Sequence, residues 1–442
     1  MVRAVELAGL GSEMNNVGLL RRATLFIFLK ECTVNRFRSA KSQQHRSLCR
    51  PLLDPDHSFT RAEIVPVIVV SLISALRLLG IFLMLPIFSA YAVRYPSASA
   101  ALAGVAFGIY ALTQCIFQIP LGWASDRWGR KPVLVIGLAL FGIGSVGCAL
   151  AEDIYGLILA RALQGTGAVG SVAFAALADL TRPAVRTQAY TITGIAIGAS
   201  FVIGLLGGPF LAAKIGFSGL FHVLALLSLL SLILAAASFP SKRQDRRDVQ
   251  PMTLGPILAH DRLRPIFIAT FVLSFALNLF FFTYPLSWTE MGLERAELWR
   301  VYLIIFLPSM VFVFPYMRRA ERQGQLHAPL LTGWLTATLG YGVYLVGAQH
   351  NLLLYIGGAA FFFGYSVYQP ILASFLSQHV PSAGRGTASG VYSLFGFIGS
   401  SLGGMLGGAL IHISPSLPEF VGVALLVGWF FLGLPIPPQS TS

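Results

Sequence analysis

The chain is predicted to be an all-α membrane protein with twelve transmembrane helices in two pseudo-symmetric six-helix bundles. Three observations predict it. The 442 residues are 55% hydrophobic and only 11% charged, with a mean hydropathy of +0.73, too few charges to cover a water-soluble globule of this size. From about Val65 onward, apolar segments of about 20 residues follow one another, the length that crosses roughly 30 Å of hydrocarbon. A polar loop sequence in the first half is echoed at the matching place in the second.

Residues 1–60 differ from the rest. Through Arg61 they carry ten Lys/Arg, and they hold five acids and one short apolar run, Ala23–Leu29, too short to span a bilayer. Arg21-Arg22 before that run faintly suggests a secretion signal, but Lys30-Glu31 ends it and no small-residue cleavage site follows. A disordered basic tail over 1–60 is the expectation. The spans are expected at 65–92, 101–121, 132–151, 154–179, 187–212 and 217–239, forming a first bundle over 61–240. The second bundle, 265–436, is expected to hold spans at 265–288, 299–317, 328–348, 352–378, 386–412 and 419–436, before a short tail at 437–442. Between the bundles, 241–264 opens on Ser241-Lys-Arg-Gln-Asp-Arg-Arg-Asp248 and runs into Leu254, Ile257, Leu258 and Leu263, a cytoplasmic linker that could end in a surface-lying amphipathic helix.

Loop charge sets the orientation. If the chain starts inside, internal loops hold fifteen Lys/Arg and external loops only Arg94, Lys214, Arg295 and Arg300. Both termini are therefore expected in the cytoplasm, and the net charge of +13 needs no nucleic acid to explain it. Cys32, Cys49, Cys115 and Cys148 show neither CxxC nor His/Cys ligand spacing, so no metal site, cofactor or disulfide framework is indicated. No HExxH, phosphate-binding loop or G-x-S-x-G stands at a membrane face, so an enzyme is not expected.

The densest polar stretch between spans is Gly122-Trp-Ala-Ser-Asp126-Arg127-Trp-Gly129-Arg130-Lys131-Pro132. Asp126-Arg127-Trp-Gly129-Arg130 returns 195 residues later as Glu321-Arg322-Gln-Gly324-Gln325, and Arg186, Ala189, Gly204 and Gly208 fall on Arg385, Ala388, Gly403 and Gly407 at an offset of 199. Such an echo indicates two parallel halves about an axis normal to the membrane. The pattern G-x-x-x-D-R-x-G-R-K resembles the loop signature of the major facilitator superfamily. Arg161-Ala-Leu-Gln164-Gly165-Thr-Gly167 is similar to that family's fourth-helix signature. Gly204, Gly207, Gly208 and Pro209, with Gly194 and Gly198, look like the fifth-helix motif of its drug/proton antiporters. Leu76-Arg77-Leu-Leu-Gly80-Ile-Phe-Leu-Met-Leu-Pro86 and Ile109-Tyr110-Ala-Leu-Thr-Gln114-Cys-Ile-Phe-Gln118-Ile-Pro120 resemble the YajR-like branch of bacterial transporters. Some of that branch carry a soluble domain after the twelfth helix; none is expected in the residues up to Ser442.

The resemblance implies secondary transport in a bacterial inner membrane by alternating access, with proton-coupled efflux of a small organic solute or drug. Import by a facilitator or symporter, and a membrane sensor or assembly subunit that kept the fold without transport, remain open. A small-molecule substrate, protons and the lipid bilayer are the partners implied, and a monomer is expected. Gly122, Asp126, Arg127, Gly129, Arg130 and Asp179 would form a conformational latch. Asp126 would face the start of the eleventh span near Gly386, and Arg130 would pair with Asp179. The same charges would serve topology alone in any membrane protein. The fifth-span glycines would also serve plain helix packing, and Gly207-Gly208-Pro209 would favour a bend.

Arg77 and Arg161 lie inside spans, where a central arginine costs roughly 2.5–3.5 kcal/mol on insertion scales, so neither should face lipid. Both are candidates for a central cavity or a relay. Tyr110, Gln114, Gln118, Asn278, Tyr284, Tyr365, Tyr368 and Gln369 are the further cavity candidates. Only Asp179 and Glu419 among the acids touch predicted spans, both at ends, so coupling is expected to use Arg161, Gln164 and Asp179 with intervening water rather than a central carboxylate. A cavity with Arg77 and no acid would favour neutral solutes over dications. Because residues 1–60 contain no span, deleting 1–55 should leave membrane insertion and transport unchanged. Loss of inserted protein on fractionation would make the tail a targeting element.

Overall fold

The computed structural model describes residues 59–239 and 254–432, apart from 168, 324–326, 348–349 and 381–384. The tails and most of the polar linker, together with Gly324 and Gln325 of the internal echo, lie outside the described residues. Fourteen helices follow in order. They are α1 Arg61–Met84, α2 Phe88–Ala92, α3 Ala100–Trp128, α4 Arg130–Leu150, α5 Ile154–Thr166, α6 Gly170–Asp179 and α7 Pro183–Ser238 in the first half. After α8 Leu254–Leu258 come α9 Arg264–Glu290, α10 Leu298–Gln323, α11 His327–Val346, α12 Asn351–His379, α13 Arg385–Ile413 and α14 Leu417–Leu432.

Local chemistry accounts for the ends. Thr60 and Glu63 cap α1, both the amide and the hydroxyl of Thr60 donating to Glu63 Oε2 at 2.9 and 2.8 Å. Ser99 and Asp153 cap α3 and α5 through their side-chain oxygens. Pro86 separates α1 from α2, which together make the first span. Gly129 at φ +98° lets α3 turn directly into α4, and Gly216 at φ +75° divides α7 into the fifth and sixth spans. Nine helical stretches among the described residues are long and apolar enough to cross a membrane. Counting the fourth span as α5 with α6, α7 as two, and adding α11 and α14, the twelve expected spans are all present. Helix continues through Gly207-Gly208-Pro209, and the break between the fifth and sixth spans falls at Gly216. An unexpected break instead splits the fourth span between Thr166 and Gly170.

Within each half the helices pack along one another, and the buried core runs on through both. In the first, α1 and α4 pack along α7, and α3 along α5; in the second, α9 packs along α13 and α11 along α12. In the second half the core centres on Phe280, which stacks on Tyr284 and Phe361 at ring distances of 4.3 and 4.8 Å. Large apolar side chains such as Phe314, Ile195, Leu226 and Leu339 are exposed around the outside, as a lipid-facing surface requires.

The contacts between the halves concentrate at the end opposite the basic loops. There α3 and α13 come together through small residues: a Cβ on Gly104 would lie 2.8 Å from Gly408 Cα, and one on Gly108 would lie 2.4 Å from Ser401 O. Only glycine permits this approach. Tyr302 of α10 donates to the carbonyl of Pro86 at 2.8 Å, and Phe107–Phe282 and Phe201–Phe306 meet edge to face. A methyl group at Gly108 cannot be absorbed by a backbone oxygen, so Gly108→Ala should part this seam at a cost of about 1–3 kcal/mol. In a background with the four native cysteines replaced by serine, Ala103→Cys, wholly buried here, should then react faster, by about tenfold or more, with an impermeant thiol reagent added on that side.

Candidate functional site

The predicted pairing of Arg130 with Asp179 is present. At the start of α4, Arg130 Nε reaches Asp179 Oδ2 at 2.9 Å, while its Nη1 contacts Asp126 Oδ1 at 2.5 Å and donates to Ser125 Oγ at 2.6 Å. Ser125 Oγ in turn donates to the carbonyl of Gly122 at 2.7 Å, and Arg127 lies 5.5 Å over the Trp123 ring. One guanidinium thus joins the end of α3, the start of α4 and the end of α6. Among the described residues the partners of Arg130 all belong to the first half, so this pair braces that bundle. Asp126 is 63% exposed, which leaves its pair with Arg130 little net stabilisation. Its expected partner, the start of the eleventh span, borders residues 381–384 outside the described set. A second ion pair at this end had no sequence signal beyond a capping pattern: Glu63, 6% exposed, receives Arg182 Nε at 2.9 Å and Nη2 at 3.2 Å, tying the start of α1 to the turn before α7.

Deeper in the first half, four predicted residues meet in one cluster. Arg161 and Gln164 share a face of α5, three residues apart, and Arg161 Nη1 donates to Gln164 Oε1 at 2.6 Å. Gln164 Nε2 donates to Ser145 Oγ at 2.8 Å, and Ser145 donates to the Phe141 carbonyl at 2.7 Å. The Arg161 guanidinium also donates from Nε to the Ala106 carbonyl at 3.4 Å and lies 4.7 Å over Tyr110 and 5.0 Å over Phe88. Tyr110 Oη accepts from Arg77 Nη2 at 3.3 Å, and Arg77 lies 5.8 Å over Phe141. Tyr110 therefore separates two buried cations. Both arginines point into the first bundle, against α2 to α6, and not toward the second half. Phe88, Phe141 and Ser145 were not anticipated, since one phenylalanine among 33 carries no mark in a sequence.

Arg161 and Asp179, the expected coupling pair, stand eighteen residues apart along the fourth span, about 27 Å for unbroken helix at 1.5 Å per residue, and Asp179 is held by Arg130. The remaining cavity candidates are not brought together. Gln114 and Gln118 are buried along α3. Asn278 donates to the Ser274 carbonyl of its own helix at 2.9 Å. Tyr284 is wholly buried in the core of the second half and donates to the Leu354 carbonyl at 3.0 Å, so it is closed off from solute in this conformation. Tyr365 is half-buried, Tyr368 packs 5.0 Å from Trp334, and Gln369 is exposed. On α7, a Cβ at Gly204 would stand 2.6 Å from Phe82 Cβ and one at Gly208 would stand 2.0 Å from Leu83 O, whereas one at Gly207 would make an ordinary contact at 3.6 Å. Gly204 and Gly208 therefore pack the fifth span onto the first. Glu419, expected at a span end, is 4% exposed and accepts from Tyr344 Oη at 3.0 Å inside the second half.

Gln164 is fully buried, and replacing it with Leu removes the shortest hydrogen bond to Arg161 without opening a route to water. Gln164→Leu should destabilise the protein by about 2–3 kcal/mol, as expected when a buried charge loses a partner. Thermal unfolding in detergent measures this, and Gln164→Glu should recover part of the loss.

The sequence profile of the Major Facilitator Superfamily matches residues 70–404 and 266–442. The chain is 35% identical over 359 residues to the inner membrane transport protein YajR of Escherichia coli K12, covering 80% of this chain and 78% of that protein. It is 27% identical over 379 residues to the multidrug resistance protein MdtH of Yersinia enterocolitica, covering 80% and 91%. A shorter match, 35% identity over 147 residues, reaches the class B tetracycline resistance protein of Escherichia coli across 32% of this chain and 36% of that one. The fold is shared with the POT family transporter PepTSo, at a TM-score of 0.67 and 13% identity over 83% of this chain and 96% of that one. The nucleoside transporter NupG gives 0.66 and 14% over 84% and 100%. The chain is thus a multi-pass membrane transporter and not an enzyme, and it belongs to the Major Facilitator Superfamily.

Proposed function

We propose that this protein exports a small organic solute across a bacterial inner membrane in exchange for protons, acting as a monomer. The observation that carries the reading is the seam between the halves. Its contacts, backbone against backbone through glycines 104, 108, 404 and 408, gather at the end opposite the basic loops. With those loops in the cytoplasm, this arrangement is closed outward and faces inward, the state from which an exporter loads. A seam built mainly from small residues and ring edges, with Arg295 lying 5.3 Å over the Tyr91 ring across it, can part while each bundle stays whole. Export is supported further by the similarity to the multidrug resistance protein MdtH and the tetracycline resistance protein, since removal of the drug from the cell is one way to resist it. Solutes without positive charge suit an interior whose buried cations have no carboxylate beside them among the described residues.

The reading is tested in proteoliposomes of fixed orientation carrying an imposed pH gradient, screened against neutral, anionic and cationic dyes and antibiotics. Movement of at least one neutral or anionic compound opposite to the proton gradient, abolished by a protonophore, is expected. Movement in the same direction as the protons would make it a symporter. No flux for any compound in protein shown to be folded would favour a sensor or assembly role.

A further inference from the structure

The fourth span is interrupted near the middle of its length. α5 ends at Thr166, Gly167 leaves helical geometry at φ −74° and ψ 37°, and the amide of Val169 donates back to the Gly167 carbonyl at 2.9 Å. Helix resumes at Gly170 and runs ten residues to Asp179, with no side-chain cap from Val169. The first amides of an α-helix have no acceptor within the helix and carry the positive end of its dipole. Here that end opens inside the membrane.

Arg77 stands against it. Its Nη1 would be 3.8 Å from a Cβ on Gly170, and the side chain is 5% exposed. A guanidinium offers five N–H donors. Among the described residues Arg77 makes one hydrogen bond, at 3.3 Å to the neutral hydroxyl of Tyr110, and its Nε is buried with no partner. In the first turn of α6, Ser171 Oγ is likewise buried with no partner, although Gly170 and Ser171 as residues are only half-buried. The second cation, Arg161, lies on the other side of Tyr110. The acid of α6, Asp179, is at the far end of the helix on Arg130. A buried charge with unmet donors beside an uncapped helix start is costly without an anion and favourable with one.

We propose that the break in the fourth span is an anion site, in which Arg77 and the first turn of α6 hold the carboxylate of a small organic solute. The inference rests on the transport reading only in taking the occupant to be the solute. One guanidinium and one helix terminus together present about one and a half positive charges. A monovalent, planar carboxylate matches that charge and the two-pronged donor geometry of arginine. A dianionic phosphate would remain incompletely neutralised in a medium of low dielectric.

The test is binding rather than flux, so it stands apart from the transport screen. Purified full-length protein in detergent, at constant ionic strength, is titrated by calorimetry with acetate and benzoate and with their neutral amides, acetamide and benzamide. At least one carboxylate should bind ten times or more tighter than its amide. Arg77→Gln should abolish that preference, Arg77→Lys should keep a reduced one, and Ser171→Ala should weaken binding by a few-fold, while Arg300→Gln, at an exposed side chain of the second half, leaves it unchanged. Melting temperatures report whether each variant is folded. Equal affinity for acid and amide in the unaltered protein overturns the proposal without need of any variant. So does full carboxylate preference in folded Arg77→Gln. Carboxylate binding in a protein that moves no solute would retain the site and discard the transport reading.

Discussion

Inside hydrocarbon there is no water to satisfy a guanidinium, and the first half of this protein is packed around that constraint. Arg161 is satisfied by Gln164, a backbone carbonyl and two ring faces, and Gln164 in turn by Ser145. Four helical segments, α2 to α5, are thereby held in register. Arg77 shares the same enclosure and lacks the same satisfaction. The contrast matters because a protein interior that meets one arginine fully and leaves its neighbour with unmet donors reserves the second for something that comes and goes.

The other charges are sorted with equal consequence. Arg130 and Glu63 gather the helix ends of the first half at the basic end, each within its own bundle. The join between bundles uses almost no charge at the opposite end. It relies on backbone proximity through glycine, a tyrosine to a proline carbonyl, and ring edges. Dispersion contacts of this kind are individually weak and lost together when two surfaces separate, whereas ion pairs in a dry interface would resist separation. Rigid halves and a separable seam are the mechanical requirements of alternating access. The break in α5–α6 adds a polar backbone surface within the first half, tolerated in a membrane because it is enclosed by protein.

How much of this was legible beforehand differs by scale. Apolar segment length and the half-length echo determined the twelve spans, because a helix crossing about 30 Å of hydrocarbon needs a run of fixed length whatever it packs against, while the family was legible in the 122–132 loop and the fourth- and fifth-span motifs that resemble its signatures. The sequence also determined that Arg77 and Arg161 must turn inward, since lipid excludes them, and the spacing of Arg130 and Asp179 relative to the span ends placed both at one membrane face. Their direct pairing followed. Which interior the arginines turned toward was not readable. A helix has several buried faces, and the side facing its own bundle is distinguished from the side facing the other half only by neighbours far away in sequence. Tertiary packing therefore decided that Arg77 and Arg161 meet through Tyr110, that Tyr284 belongs to a closed aromatic core, and that Glu419 is enclosed by Tyr344. It also decided that the chain breaks at Gly167 and Gly216 but not at Gly208, where the backbone of Leu83 presses against the helix. Glycine permits either outcome locally, and only the contact across space selects one.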